Sequence, residues 1–183
     1  MARIRMLERE ETCPESGRMW DAITAEHGRM TNMKKTLAHS PRAMHAVMEW
    51  YALLDEVTPF LGERLTRLFM LAVSTQTDCL VCSTFYRRIM IEAGEDPDDL
   101  ALNDEKERLI IEFGRQMVSD SNAVSDETYN GLAAHFSEKQ MVDLIVFGSM
   151  MVVNNIFNNV AQVELDSYLQ PYRTLAAKRD ADA

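Results

Sequence analysis

The chain has 183 residues, enough for one domain that buries a sizeable core of its own. Its 29 acidic residues outnumber the 19 basic ones, and the net charge of −10 disfavours nucleic acids and anionic membranes as partners. A hydrophobic fraction of 46%, with only seven glycines and five prolines, excludes the collagen-like and disordered classes. We therefore expect one globular domain over residues 1–183.

The N-terminal part of the chain predicts a lead-in, one short helix and a polar connection. Residues 1–13 are charged and lack the apolar stretch of a signal peptide, so we expect a weakly ordered segment. Apolar residues recur on one face of residues 15–27, and Gly28 is placed to end that helix. Residues 28–39 are polar and are predicted to be irregular.

A residue with a hydroxyl side chain precedes a proline at two places, Ser40 with Pro41 and Thr58 with Pro59. Each pair predicts the start of a long helix. In each pair the hydroxyl side chain suits the N-cap. The proline suits the first helical position, where the missing N–H would have had no helical partner. Apolar residues at helical spacing follow both pairs, and the second helix is predicted to run to about Thr77.

The second half of the chain predicts further helices, each with its own start signal. Asp78 is expected to cap a helix over residues 79–93, which Gly94 ends. Residues 137–153 form a long segment that is apolar almost all round, which predicts a helix at the centre of the core. The other predicted caps are Asn103 or Asp104, Ser125, and Ser137 in a capping box with Gln140.

No segment shows the alternation of β-branched residues that predicts a strand. The predicted fold is therefore all-α, a bundle of seven or eight helices joined by short loops. The longest apolar stretch, residues 144–153, is about half as long as a transmembrane helix. With the missing signal peptide, this predicts a soluble, cytoplasmic protein that has no membrane partner.

Two of the three cysteines, Cys79 and Cys82, form a C-x-x-C pair at the predicted start of a helix, whereas Cys13 lies far away in the sequence. Free N–H groups at a helix start favour a thiolate, and the short spacing brings both sulfurs within reach of a disulfide. In an intracellular protein such a pair is typical of redox or metal chemistry. Two buried core cysteines without a function are the alternative.

A zinc site is less favoured than redox chemistry, because structural zinc needs about four ligands. The chain has no second C-x-x-C, and none of its four histidines forms a ligand pair at helical spacing. The absence of a βαβ pattern before the cysteines also argues against a thioredoxin fold. We expect no metal and no cofactor.

The segment CLVCSTFY, which begins at Cys79, and the helix LFMLAVSTQTD before it resemble the core of the alkylhydroperoxidase D-like, or carboxymuconolactone decarboxylase-like, superfamily. The stretch TLAHSP at residues 36–41 is similar to a segment that is common upstream of that core. The stretch EAG at residues 92–94 is similar to the end of its cysteine-bearing helix. The resemblance covers about residues 30–170 and includes the asparagine-rich NNIFNNV. It implies an all-helical fold and a homo-oligomer.

The redox branch of that superfamily reduces hydroperoxides or passes electrons to a carrier through its cysteines. Its motif is a Glu, eleven residues, C-x-x-C, three residues and a His. The resemblance implies that Cys82 attacks the peroxide and that Cys79 resolves the product as a disulfide. Glu and His relay the proton in that branch, but this chain has Arg67 and Tyr86 at those two positions.

These departures change the expected chemistry. A tyrosine with a pKa near 10 is no base at neutral pH, although the Tyr86 hydroxyl can donate to a thiolate or a peroxide oxygen. Arg67 would stabilise a thiolate by its charge. The alternatives are a surface pair of Arg67 with Glu63 and a half-buried Tyr86 with a satisfied hydroxyl. Ready disulfide exchange and slow hydroperoxide turnover follow from the first interpretation.

The sequence therefore favours a thiol-dependent oxidoreductase, peroxidase-like or disulfide-exchanging. Its partners would be a small hydroperoxide or a dithiol/disulfide electron carrier, and further copies of the chain. The alternative is a non-redox or catalytically silent oligomeric member that binds a small molecule. The predicted catalytic residues are Cys79, Cys82, Tyr86 and Arg67. The asparagines of NNIFNNV are predicted either to line a pocket or to form a polar helix end. They are Asn154, Asn155, Asn158 and Asn159.

Overall fold

The structure is a computed structural model that describes residues 2–174. Over this range it contains eight α-helices, two short 3-10 helices and no strand, which confirms the predicted all-α class. The α-helices are α1 Pro14–His27, α2 Asn32–Leu37, α3 Pro41–Leu61, α4 Glu63–Gln76, α5 Leu80–Glu92, α6 Glu105–Ser119, α7 Asp126–Ala133 and α8 Glu138–Ala161. The 3-10 helices are Arg9–Glu11 and Ser167–Tyr172.

Helix α4 lies at the centre of the bundle, where α3, α5, α6 and α8 pack around it. Its Phe69 side chain is fully buried and stacks on Phe113 of α6 at 6.2 Å and on Phe147 of α8 at 6.0 Å between ring centroids. Gly148 makes the approach of α8 possible, because a Cβ there would lie 2.8 Å from the Phe69 ring. The position of α4 fixes the turn that follows it, which carries the cysteine pair.

Four predicted helix starts are confirmed by hydrogen bonds from the capping side chains. Each hydroxyl or carboxylate oxygen accepts the backbone N–H three residues further on, as expected for an N-cap. In the capping box, the Gln140 side chain also returns a bond to the backbone N–H of Ser137, at 2.9 Å. The confirmed caps are Ser40, Asp104, Ser125 and Ser137.

The predicted helix start at Thr58 and Pro59 is wrong. Helix α3 continues through both residues to Leu61, and the Thr58 hydroxyl donates to the carbonyl of Leu54 at 2.7 Å instead of capping a new helix. The break falls at Gly62, whose φ of 84° suits glycine far better than other residues. Burial of the last turn of α3 keeps the helix intact across the proline, because Val57 and Leu61 both belong to the core.

The segments predicted to be irregular or weakly ordered are tied into the fold. Residues 28–39 contain helix α2, capped by the Thr31 hydroxyl, which accepts from the backbone N–H of Lys34 at 3.4 Å. In the N-terminal lead-in, Leu7 is buried and its N–H donates to the carbonyl of Lys35 at 3.3 Å. The polar sequence of these two segments gives no sign that they are ordered, because their contacts are made with distant parts of the chain.

Helix α8 does not lie at the centre of the core as predicted, because only one side of it is covered. Leu144, Phe147 and Met151 are fully buried, whereas Val153 and Ile156 on the outer side are about half exposed. Within residues 2–174, α8 alone is long and apolar enough to cross a membrane by length and composition. A core helix of a soluble protein meets the same criterion, and α8 packs along α3 and α4.

Candidate active site

The cysteine pair lies at the start of α5, after a tight turn that follows α4. Asp78, the predicted cap, occupies the turn itself with a φ of 51°, a left-handed conformation that aspartate tolerates. Cys79 is the N-cap instead, and its sulfur accepts the backbone N–H of Cys82 at 3.4 Å. The helix start therefore acts directly on the Cys79 sulfur, as the C-x-x-C pattern predicts.

The two sulfurs have different surroundings, and both are free thiols. Cys79 is fully buried, and its hydrogen bond with the Cys82 side chain lowers the pKa of the Cys79 thiol, helped by backbone N–H groups of the helix start. The same hydrogen bond, together with burial, raises the pKa of Cys82 well above its ordinary value. The first thiolate of the pair therefore forms on Cys79, and Cys82 retains its proton.

Cys82 lines a cavity of about 90 Å³ that is partly open to solvent. Residues of α2, α3, α5, α8 and the C-terminal 3-10 helix form its wall. Cys79 is not among the lining residues, so one sulfur of the pair faces the cavity and the other lies behind it. Aromatic side chains make up much of the wall, namely Trp50, Tyr51, Phe85, Tyr86 and Tyr168.

Tyr86 shares this cavity with Cys82, so the structure brings these two predicted site residues together. The tyrosine is 8% exposed, and burial raises the pKa of its hydroxyl well above the ordinary value, with a further contribution from the nearby Cys82. At neutral pH the hydroxyl therefore keeps its proton. It can donate a hydrogen bond into the cavity, but it is no base.

Arg67 is not brought to the cysteines. Its guanidinium pairs with Glu63 at 3.2 Å and with Glu95 at 3.6 Å, and it does not line the cavity. Arg64 joins the same group by ion pairs with Glu95 and Glu107. The structure thus places Arg67 in an ion network that ties α4 to the loop before α6, and includes the surface pair with Glu63 that the sequence offered as an alternative.

The asparagines near the end of α8 form part of the cavity wall. Asn158 donates its amide N–H to the Cys82 sulfur at 3.2 Å, and Asn155 donates to the Thr77 hydroxyl at 2.6 Å. Asn159 holds the same turn by donating to the Thr77 carbonyl at 3.1 Å. Within residues 2–174, the buried side-chain oxygens of Asn154, Asn155 and Asn158 have no hydrogen-bond partner. All three of these residues also line the cavity.

Two charged side chains in the wall were not identified from the sequence. Lys34 of α2 is 4% exposed, and burial lowers its pKa to about 8. Asp166 is 7% exposed, and burial raises its pKa, although its carboxylate accepts the backbone N–H of Asn32 at 3.0 Å. A lysine in a short polar segment has no sequence signal of burial, so neither residue could have been selected without the fold.

No metal site is found in the part of the chain that the structure describes, where no three His, Cys, Asp or Glu side chains form a group suited to an ion. Cys13 is the exposed N-cap residue of α1 and does not line the cavity. Cys79, Cys82 and the cavity in front of Cys82 make up the candidate site.

Solved structures of three proteins are similar to this chain over nearly its whole length. The alkylhydroperoxidase AhpD core of a peroxidase-related protein from Ralstonia eutropha JMP134 is 16% identical, with a TM-score of 0.69, over 92% of this chain and 94% of that one. A peroxidase-related protein from Silicibacter sp. TM1040 is 15% identical, with a TM-score of 0.71, over 94% and 96%. A variant of the debrominase Bmp8 in complex with 2,3,4-tribromopyrrole is 13% identical, with a TM-score of 0.76, over 92% and 94%.

No protein-family model and no curated protein sequence matches the chain. At such low identities the structural likeness establishes the fold. It confirms the all-helical fold that the resemblance around the cysteine pair implies.

Proposed function

We propose that this chain, which has the fold of the alkylhydroperoxidase AhpD core, is a thiol-dependent oxidoreductase. Cys82 reacts with a small substrate in the cavity, and Cys79 completes a disulfide. The observation that carries the proposal is the difference in access, because Cys82 lines the cavity whereas Cys79 is fully buried behind it. One accessible and one inaccessible thiol suit attack by the first and resolution by the second.

For a hydroperoxide, the reaction begins when Cys79 takes the Cys82 proton through their hydrogen bond. The Cys82 thiolate attacks the outer oxygen, the O–O bond breaks, and the alkoxide receives that proton to leave as an alcohol. Cys79 then attacks the sulfur of the Cys82 sulfenic acid, and the leaving hydroxide becomes water with the proton that Cys79 released to solvent when it ionised. The two thiols are oxidised to a disulfide, and the hydroperoxide is reduced to alcohol and water. A dithiol carrier restores the thiols by exchange.

Mild oxidation with hydrogen peroxide is expected to join Cys79 and Cys82. Mass spectrometry of the peptide that spans both residues should show the loss of two hydrogens, reversed by a dithiol reductant. The Cys82→Ser variant is the control, and its peptide should show no such loss. If neither thiol of the folded wild type reacts with peroxide or with a small alkylating agent, the cysteines are structural and the chain is a silent small-molecule-binding member.

A second candidate function is reductive dehalogenation of a small aromatic compound, which the five aromatic side chains of the cavity wall favour. The debrominase Bmp8 has a similar structure. In this reaction the Cys82 thiolate takes the halogen from a ring carbon, which receives a proton. Cys79 then forms the disulfide and releases halide. Halide release from a brominated ring compound, without hydroperoxide turnover, would select this function.

Replacing Tyr86 with histidine is expected to raise hydroperoxide turnover modestly, by up to about tenfold. A histidine can both accept and donate the proton at neutral pH, whereas the buried tyrosine only donates. The measurement is initial rate with a dithiol reductant in excess. Tyr129→His, at an exposed tyrosine outside this cavity, is the control. Equal rates for wild type and Tyr86→His would mean that Tyr86 or another group already supplies the proton.

We also propose that the chain forms a homo-oligomer through the outer side of α8. The exposed residues there repeat at alternating spacings of four and three, the period of a helix that packs along another helix. Five of the six are β-branched and apolar, and each of those five is at least 42% exposed. They are Val142, Val146, Val153, Ile156 and Val160, with Ser149 as the sixth.

A pair of charges on this stripe is expected to separate the subunits. Val153→Asp with Ile156→Asp should convert the oligomer to a monomer of about 21 kDa, since two buried carboxylates would face the partner. Light scattering at micromolar concentration measures the change. Ala46→Asp, on the exposed side of α3, should leave the mass unchanged. A wild-type chain that is already monomeric would refute this proposal.

A further inference from the structure

The cavity beside Cys82 contains a buried cation without a counter-ion. Lys34 is 4% exposed, and it makes no ion pair within 4.0 Å and no side-chain hydrogen bond with any group in residues 2–174. Its ammonium lies 4.9 Å from the centre of the Tyr51 ring, which is a cation–π contact. A buried ammonium is normally paired, because taking the charge out of water costs several kcal/mol.

The groups that face Lys34 do not supply the missing negative charge. Glu26 of α1 attracts it only from a distance, and its side chain is 72% exposed. Tyr51 of α3 has its pKa raised to about 12 by burial and stays neutral. Asp166 accepts the backbone N–H of Asn32, and the cations that act on its carboxylate are Arg29 and Lys35 instead of Lys34. Tyr168 beside it has a raised pKa. Burial and the hydrogen bond with Cys79 raise the pKa of Cys82 of α5 well above its ordinary value, so its thiol supplies no negative charge.

The remaining wall of the cavity suits a flat ring. Trp50, Tyr51 and Phe85 provide aromatic surface, and the buried indole N–H of Trp50 has no acceptor within residues 2–174. An ammonium in an apolar, aromatic wall can bind the anionic group of a ligand whose ring packs against the apolar side chains. The unpaired ammonium of Lys34 in this wall is therefore the group that an anionic ligand would complete.

We propose that this cavity binds a small aromatic monoanion whose negative charge is neutralised by Lys34. The proposal deepens the proposed function, since it names the substrate class for the cavity that Cys82 faces, and turnover of such a substrate rests on that function. Binding of the anion requires only the wall residues and not the thiol chemistry.

The test compares benzoate with benzamide, which have the same ring and size but differ in charge. Calorimetry and the ligand-induced shift in melting temperature, both at pH 7, should show benzoate binding at least about tenfold more tightly to the wild type. Lys34→Met should lose at least about tenfold in benzoate affinity and keep its affinity for benzamide. Lys34→Gln serves as a second variant, with the same expected loss.

Lys35→Met is the matched control, because the neighbouring Lys35 already pairs with Glu8 at 2.8 Å and does not line the cavity. It should bind benzoate like the wild type. Cys79→Ser removes the thiol pair without altering a lining residue and should also retain benzoate binding, so loss of thiol chemistry and loss of anion binding are distinguishable. Equal affinity for benzoate and benzamide, or undiminished benzoate binding by both Lys34 variants, would overturn the proposal.

Discussion

Replacing Lys34 with methionine is expected to raise the free energy of unfolding by about 2 kcal/mol at pH 7 in the absence of ligand. Burial lowers the pKa of Lys34 from its ordinary 10.5 to about 8, and a shift of this size corresponds to about 3 kcal/mol. Loss of the cation–π contact with Tyr51 reduces the expected gain in stability by about 1 kcal/mol. Methionine has a similar length and fills the same space without the charge.

The gain in stability from Lys34→Met is expected to decrease as the pH rises. Below about pH 8 the lysine is charged in both the folded and the unfolded chain, so the cost of burying the charge is fully present. Between about pH 8 and 10.5 the folded chain releases the proton before the unfolded chain does, and the wild type gains stability. The advantage of Lys34→Met should therefore shrink through this window and vanish above it.

Urea unfolding of both proteins at several pH values measures this difference directly. Lys35→Met should show no comparable gain, since its ammonium is paired with Glu8. A Lys34→Met variant that is less stable than the wild type at pH 7 would mean that the ammonium has a favourable partner in the folded chain. The proposed anion site would then lose its main physical basis.

Replacing Cys79 with serine is expected to change two assays in opposite directions. Turnover with a dithiol reductant should fall, because the internal disulfide can no longer form and the Cys82 sulfenic acid is then reduced only by the reductant itself. Alkylation of Cys82 by iodoacetamide at pH 7 should become faster, because the Cys79 thiolate no longer opposes ionisation of its neighbour. Each unit by which the pKa of Cys82 falls gives about tenfold more thiolate, partly offset by its lower nucleophilicity.

Cys82→Ser is the matched variant, and it should be nearly inert to iodoacetamide at this site, since Cys79 is fully buried. Peptide mapping distinguishes these sites from the exposed Cys13. Rapid alkylation of Cys79 in the folded Cys82→Ser protein would reverse the assignment of the attacking and resolving thiols. Slower alkylation of Cys82 in Cys79→Ser would show that Cys79 activates its neighbour and does not suppress it.

Helix starts could be predicted where the chemistry is local. Ser125 and Ser137 cap their helices because each hydroxyl oxygen accepts the backbone N–H three residues further on, and this bond does not depend on the rest of the fold. The same local signal failed at Thr58 and Pro59, where burial of Leu61 extends α3 beyond them. Local signals therefore predict helix starts only where tertiary packing does not compete.

The candidate site was predicted in part for the same reason. Cys79 and Cys82 could be found because two residues of spacing are enough to bring their sulfurs to one helix start. The place of Arg67 could not be settled, because its ion pair with Glu95 joins residues 28 positions apart. Nothing in the sequence marks Lys34 as a candidate site residue, because it reaches the cavity wall only through its burial beside α3 and the C-terminal segment.

The burial of Cys79 also limits what else can happen to an oxidised Cys82. Glutathione is too large to reach Cys79, so a mixed disulfide forms only on Cys82, and the adjacent thiolate displaces it from within. The same proximity lets Cys79 capture a sulfenic acid before a second peroxide molecule converts it irreversibly to sulfinic acid. Under the proposed function, a resolving thiol that is sealed inside the bundle would thus protect Cys82 from overoxidation.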